Sequence, residues 1–344
     1  AENTYIPSFI FSLLAFISFD SLSLTADLLA FGFILLTLNN LFKEIEFRIQ
    51  RDETIFNLGL FLSLATLLEF SHIIYLPGAI LVLLIFTRTT PRKYLLMVFG
   101  FLLPHVALGF VSYLSSGLQN LWQYFYLPNL RFASESLMSA SSLLYLCAIP
   151  LLYLFISLFI LNRDARLSKY QSQIFQAMFL WFIVALIQVF LTANRRPQSL
   201  IPLIPPVSFF LTHFLLLIRR RKYAEMHLWI LLIGIVAVAY LARYNKIDRI
   251  QYNKLLVDQT PHTIKGKRIL VLDHQPQLFI DNQLATSFYE WKVCKPIFEQ
   301  PDYYENILTV SRSFETDIPE EIVDPHNLMQ GFFERIPALK TKSD

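Results

Sequence analysis

Long apolar runs separated by short charged islands fill residues 1–242 of this 344-residue chain, and they restrict the fold more than any other feature. Only 16% of the residues are charged, whereas an ordinary soluble domain carries about 25%. An apolar run of roughly 17–25 residues is long enough to cross the hydrocarbon core of a bilayer as a helix. The first 242 residues are therefore predicted to be helical and embedded in a membrane.

The apolar runs predict about nine spans. They lie at roughly 5–19, 22–42, 55–70, 73–87, 94–114, 137–161, 174–193, 199–218 and 227–242. Several are short for a bilayer, and the third and fourth can alternatively form a re-entrant pair covered by protein. The chain starts without Met and turns apolar almost at once, which predicts that an upstream part precedes residue 1.

The basic residues fall into two groups when the loops are numbered alternately. One side receives thirteen: Lys43, Arg48, Arg51, Arg88, Arg92, Lys93, Arg163, Arg166, Lys169, Arg219, Arg220, Arg221 and Lys222. The other side receives six: Arg131, Arg195, Arg196, Arg243, Lys246 and Arg249. The positive-inside rule assigns the larger group to the cytoplasm. We therefore expect a multi-pass protein of a bacterial inner membrane with residues 243–344 in the periplasm.

Residues 243–344 have the composition of a soluble protein and predict a small α/β domain. Strands are expected in KRILVLD, in QLFID and at Glu321–Asp324. Helices are expected in PDYYENILTVSRSF and after Pro325. This alternation indicates a parallel pair of strands. Asp273 and Asp324 end their strands, where they are either ligand-binding residues or turn and cap residues.

The predicted fold class is therefore an all-α polytopic membrane protein of about nine spans, some of them re-entrant, with a small C-terminal α/β extramembranous domain. The predicted domains are residues 1–242, which form the transmembrane helical domain, and residues 243–344, which form the periplasmic domain.

Polar residues in the outer loops are the candidates for chemistry. Glu69 and His72 lie in LLEFSHIIY, where a partly desolvated carboxylate can act as a general base. Asp20 lies in the turn between the first two runs and is a second candidate. For all three, the alternative is an ordinary solvated turn. Arg131 lies in the longest outer loop, after the aromatic residues of LWQYFYLPN, which are either interface anchors or a platform for a sugar ring or an acyl chain.

The stretch TANRRPQSLIPLIPP places Arg195 and Arg196 between two apolar runs. Two interpretations remain open for these arginines. They either anchor a helix end at lipid headgroups or grip a specific phosphate through the planar guanidinium fork. The prolines that follow fit both interpretations because they interrupt helical hydrogen bonding near the end of a span.

Several classes of site are missing from the sequence. The seven His residues are scattered, and no HExxH, CxxC, Walker A or GxGxxG pattern occurs. We therefore expect no metal, no cofactor, no nucleic-acid partner and no ATP-driven transport by this chain alone. Cys147 and Cys294 do not suggest a disulfide. No acidic residue is expected to be buried in the middle of a span, which argues against a secondary transporter.

Two resemblances add to this interpretation. The segment IFNLGLFLSLATLLEFSHIIYLPGAILVLLIFTRTTPRKYLLMVFGFLLPHV resembles an uncharacterised family of Bacteroidota inner-membrane proteins. That resemblance covers residues 2 to about 105 and implies no known activity. More broadly, the many spans, the outward tail and NRRPQSLIPLIPP resemble the GT-C glycosyltransferases, which use polyprenyl-phosphate sugars. Only Arg195, Arg196, Pro202 and Pro205 match that family's late Arg and Pro-rich element, and its acidic residue in the first outer loop has no secure match.

The GT-C resemblance implies transfer of a sugar from a polyprenyl-phosphate donor at the outer face of the inner membrane. Arg195 and Arg196, with Arg131 and His72, would bind the lipid phosphate, and Glu69 or Asp20 would take the acceptor's proton. The partners would then be membrane lipid, with polyprenyl phosphate as the candidate, and other envelope proteins. The alternative is a non-catalytic integral membrane subunit of an envelope complex for secretion, motility or polymer export.

Overall fold

The computed structural model describes residues 5–17, 23–47, 51–87, 89–115, 117–130, 138–164, 168–192, 195–255, 264–273, 275–289, 291–337 and 339. The chain divides into two compact units, Ala1–Leu255 and Leu256–Asp344. The composition of the sequence predicts an earlier division, after residue 242. The segment after residue 242 packs within the first unit, because the Ser142 hydroxyl donates to the Arg249 carbonyl at 3.1 Å and Ile250 and Tyr252 are buried in its core.

The first unit is built of helices joined by short connections. In chain order its α-helices are α1 (Ile6–Ala15), α2 (Ala26–Phe47), α3 (Asp52–Leu68), α4 (Tyr75–Phe86), α5 (Pro91–Leu114), α6 (Leu118–Asn120), α7 (Leu127–Leu130), α8 (Ala140–Leu146), α9 (Ala148–Asp164), α10 (Lys169–Leu191), α11 (Ile204–Leu217) and α12 (Arg221–Arg243). Tighter 3₁₀ helices occupy Phe70–Ile74, Pro197–Leu203 and Tyr252–Leu255, and a π-helical stretch occupies Leu121–Tyr126.

Within the described residues, five helical segments are long and apolar enough to cross a membrane, so the chain has the character of a multi-pass membrane protein. They are Ala26–Glu46, Pro91–Leu114, Lys169–Leu191, Pro197–Leu217 and Arg221–Arg243. A sixth candidate is the pair α8 and α9, which is bent by 70°.

The predicted count of nine spans is not confirmed. Helices α1, α3 and α4 have 10, 17 and 12 residues, and an untilted crossing needs about 20. The third and fourth runs alternatively predict a re-entrant pair, but α4 packs mainly on α10, whereas α3 packs mainly on α2 and α5.

The two ends of the first unit differ in their charged residues. At one end, Lys93 forms an ion pair with Asp52 at 3.7 Å and also attracts Glu44 near the end of α2. Tyr170, near the start of α10, lies beside Glu46 at the same end. The start of α2, the end of α3 and the end of α10 lie at the opposite end. The described parts of the basic connections therefore lie on one side of the unit, and the start of α2 and the ends of α3 and α10 lie on the other.

The second unit contains a three-stranded parallel sheet in the order β2-β1-β3. The strands are β1 (Arg268–Val271), β2 (Gln283–Leu284) and β3 (Glu321–Val323), and the helices are α13 (Trp291–Glu299), α14 (Tyr304–Thr316) and α15 (Gln330–Arg335). The apolar side chains of β1 explain its central place, since Ile269, Leu270 and Val271 are all buried.

Two local predictions for the second unit are wrong. QLFID is not a strand: Pro276–Phe279 forms a 3₁₀ helix, because proline fits the first turn of a helix and supplies no backbone donor to a sheet. The helix expected directly after Pro325 begins only at Gln330. In between, the Asp324 carboxylate accepts the Met329 backbone N–H at 2.7 Å and closes a turn. This bond favours the interpretation of Asp324 as a turn and cap residue.

Candidate functional site

Four segments of the first unit converge at the end opposite the basic connections. They are the first turn of α2, the junction after α3, the end of α10 and the Pro197–Leu203 helix. The Pro197–Leu203 helix packs on both α2 and α10, while the Phe70–Ile74 helix packs on α3 and α10. This arrangement brings three charged side chains, from Asp27, Glu69 and Arg196, within electrostatic reach of one another.

Glu69 lies where the chain leaves α3. Its backbone is extended, with φ −143° and ψ 109°, and its N–H donates to the Ala65 carbonyl at 2.9 Å. The Glu69 carbonyl in turn accepts the His72 N–H at 3.1 Å, which begins the next helix. Because both neighbouring helices fix its backbone, the side chain is held half-buried at the junction.

Arg196 lies immediately before the proline that begins its 3₁₀ helix. Its backbone N–H donates to the Ser199 Oγ at 3.2 Å, and its carbonyl accepts the Ser199 N–H at 3.0 Å. This reciprocal pair fixes the backbone and leaves the guanidinium exposed. The sequence therefore orients Arg196 locally, through a proline and a serine that follow it closely.

Arg195 has a different environment. Its carbonyl accepts the Met138 N–H at 3.2 Å, which ties the segment to the start of α8. Its Nε is enclosed by protein and has no hydrogen-bond partner among the described residues. A buried guanidinium donor without an acceptor costs free energy.

The electrostatics of the site depend on burial. Burial raises the pKa of the Glu69 carboxyl above its ordinary value, and the negative charge of Asp27 raises it further. The Ser71 hydroxyl and N–H, and then Arg196, act in the opposite direction because they favour the charged form. Glu69 is therefore disposed to hold a proton at a higher pH than a solvated glutamate, as a general acid–base group requires.

The structure brings together only some of the predicted site residues. Glu69 and Arg196 lie within electrostatic reach of each other, and Arg195 precedes Arg196 in the chain. His72 is buried beside Tyr75, with ring centroids 5.8 Å apart, and among the described residues its ring nitrogens have no hydrogen-bond partner.

The interpretation of this segment as a solvated turn does not hold for Ser71 and His72, which are both buried because they pack against α10. Asp20 and Arg131 lie outside the described residues.

Sequence reasoning missed Asp27, Ser71 and Gln188. Asp27 lies in the first turn of α2, where an acidic residue is favoured by the helix dipole. Gln188 is a lone amide within an apolar stretch of α10, and a polar residue in such a stretch was the available signal.

In the described part of the chain, no group of three or more His, Cys, Asp or Glu is arranged to hold an ion. Cys147 and Cys294 are both buried and form no disulfide.

Comparison with known proteins gives one match. The family described as "Family of unknown function (DUF6427)" matches residues 1–248, which include the whole candidate site. No curated protein and no solved structure matches the chain.

Proposed function

We propose that this chain, which belongs to the DUF6427 family of unknown function, is a membrane glycosyltransferase that uses a polyprenyl-phosphate sugar donor. The observation that carries the proposal is the convergence of Arg196 with Glu69 and Asp27 at one end of the helical unit. An enzyme of this class needs a cation for the lipid phosphate next to a carboxylate that can take a proton.

The proposed reaction uses each charged group once. A hydroxyl oxygen of the acceptor attacks the anomeric carbon of the donor sugar, and the bond between that carbon and the phosphate oxygen breaks. The Glu69 carboxylate takes the hydroxyl proton, and burial followed by the negative charge of Asp27 keeps the pKa of Glu69 high. Arg196 and Arg195 stabilise the negative charge that develops on the departing polyprenyl phosphate. Glu69 is half-buried, so its interactions with Asp27 and Arg196 are screened less than they would be in bulk water.

The proposed location follows the charge distribution. The basic connections would lie in the cytoplasm, as the positive-inside rule requires. The site, and the chain's exit towards residues 256–344, would then lie at the periplasmic face of an inner membrane. A lipid-linked sugar at that face would enter the site from the bilayer.

The alternative function is a non-catalytic subunit of an envelope complex. Helices α5 and α12 favour it, since only 17% of the apolar window of each is buried within the chain. Their exposed faces fit either lipid or another membrane protein. Under this alternative, Arg195 and Arg196 are headgroup anchors.

Binding of undecaprenyl phosphate to the purified full chain tests the proposal. Arg196→Lys should weaken binding because a point charge cannot replace two guanidinium hydrogen bonds. A charge-assisted hydrogen bond contributes about 1.5–3 kcal/mol, so the loss should be roughly 10- to 100-fold in Kd. Arg219→Lys, at the opposite end of the unit, is the matched control and should bind normally.

Native mass spectrometry can measure these affinities, with undecaprenol as the probe that lacks the phosphate. Equal binding of undecaprenol and undecaprenyl phosphate, or wild-type affinity of Arg196→Lys, would contradict the proposed phosphate site and favour the anchor interpretation.

A further inference from the structure

A row of polar side chains runs inward from Glu69 between the Phe70–Ile74 helix, α4 and α10. At its outer end the Gln188 Nε2 donates to the Ser71 Oγ at 3.0 Å and to the Thr192 Oγ1 at 3.0 Å. Ser71 also faces the Glu69 carboxyl. The row therefore begins beside the candidate site.

Deeper in the unit the row continues through aromatic rings. The His72 ring centroid lies 5.8 Å from that of Tyr75, which lies 4.9 Å from that of Trp181. Trp181 and Gln188 are seven positions apart on α10, so they share one face of that helix. His72, Tyr75, Trp181 and Gln188 each expose at most 1% of their surface. We call these four residues the α4–α10 polar row.

Each member of the α4–α10 polar row has a buried polar atom with no hydrogen-bond partner in the described part of the chain. These atoms are both ring nitrogens of His72, the Tyr75 hydroxyl, the Trp181 Nε1 and the Gln188 Oε1. Buried polar groups in folded proteins are nearly always paired, because each unpaired one costs free energy. So many unpaired atoms in one neighbourhood indicate a partner enclosed with them.

We propose that the α4–α10 polar row is an internal binding site for water. The Trp181 Nε1–H can only donate and the Gln188 Oε1 can only accept, while His72 and Tyr75 each do both. Trp181 and Gln188 lie seven residues apart on α10, which is roughly 10 Å, so one small molecule cannot reach every atom; water molecules, which both donate and accept, can pair with each of them. Burial of all four side chains favours the smallest such molecule, and buried water typically makes about three such bonds.

The sign of a stability change tests this site. If the Tyr75 hydroxyl is hydrogen-bonded to water, Tyr75→Phe removes that bond and lowers the Tm. If the hydroxyl is unpaired, its removal relieves a desolvation cost and raises the Tm. We expect a decrease of roughly 2–4 °C in the purified full chain, scanned at one fixed heating rate.

Tyr153→Phe is the matched control, since the Tyr153 hydroxyl lies 3.3 Å from the His227 Nδ1 and its loss should lower the Tm. An unchanged or raised Tm for Tyr75→Phe, beside a lowered Tm for Tyr153→Phe, overturns the water site.

A second measurement covers the case in which Tyr75→Phe does not fold. Replacing Trp122, Trp229 and Trp291 by Phe leaves Trp181 as the single indole of the full chain. Transfer from H₂O to D₂O should lengthen its fluorescence lifetime if exchangeable water reaches the indole N–H, and no change overturns the proposal. Native mass spectrometry tests for a larger hydroxylated ligand. An organic mass that the wild type retains and Gln188→Leu loses would also overturn water as the ligand.

Discussion

At the scale of single residues, the most informative position is Glu69, which sits at a break between two helices beside another carboxyl. Its raised pKa means that the folded protein binds the Glu69 proton more tightly than the unfolded chain does. The resulting stabilisation is fully present below the unfolded pKa, about 4.3, and is lost as the pH rises through the folded pKa. Above the folded pKa, the ionised side chain costs stability.

We therefore predict that Glu69→Gln is about as stable as the wild type below pH ~4.3 and more stable above it. Gln keeps the shape of the side chain but cannot ionise. Thermal unfolding of both proteins across a pH series measures the difference. Glu53→Gln, exposed at the start of α3, is the control and should show no such gain. If Glu69→Gln instead becomes less stable than the wild type as the pH rises, the wild-type carboxylate is well paired and the prediction is wrong.

Residue identity alone located part of this site. Glu69, Arg195 and Arg196 were recognisable because charged residues at the edge of apolar runs are costly and need a reason. Asp27 was not recognisable as their neighbour, since its position beside them depends on how α2 packs against the distant, proline-rich Pro197–Leu203 helix. The burial of Ser71 and His72 was also hidden, because it depends on where α10 packs.

At the scale of helices, the crossing of α3 and α5 depends on two glycines. A Cβ at Gly59 would overlap the Met97 carbonyl oxygen, and a Cβ at Gly100 would lie 2.5 Å from the Phe56 carbonyl oxygen. Small residues at such crossings let two backbones approach closely, and this contact replaces the hydrophobic driving force that is absent within a bilayer.

We predict that Gly59→Ala and Gly100→Ala each lower the free energy of unfolding by roughly 1–3 kcal/mol, the usual cost of overpacking. The obstructing atoms belong to the backbone, so no side-chain rotation can relieve the clash. Gly109→Ala is the control on the same helix, because a Cβ there meets nothing within 4 Å. Denaturant titration of the purified protein measures all three, and an equal effect at Gly100 and Gly109 would contradict the close crossing.

The apolar runs predicted the positions of most helices, but they did not predict which of these helices are long enough to span a bilayer. Each of the nine predicted runs contains a described helix, but length decides which can span a bilayer, and α1, α3 and α4 are short. The 70° bend between α8 and α9 falls inside what reads as one continuous run. No glycine or proline lies at Cys147 to mark that bend, although Pro150 follows it.

At the scale of the whole molecule, the helical unit has one end rich in basic connections and another that holds the candidate site. Asp52, Lys93 and Glu44 meet at the first end. At the second, Arg195 bonds to Met138 at the start of α8, and Ser142 in α8 bonds to Arg249. The chain therefore leaves the helical unit on the side of the site.

This arrangement predicts where the C terminus lies. If the basic end is cytoplasmic, as the positive-inside rule requires, then a reporter fused after Asp344 lies in the periplasm. Alkaline phosphatase, which is active only there, should be active at that position, and green fluorescent protein should be dark when exported through the same route. Fusions after Arg220, in the basic connection between α11 and α12, should give the opposite pair of results. Phosphatase activity after Arg220 and not after Asp344 would show that the orientation is the reverse. Arg196 and Glu69 would then lie at the cytoplasmic face, where an outward-facing lipid-linked donor cannot reach them.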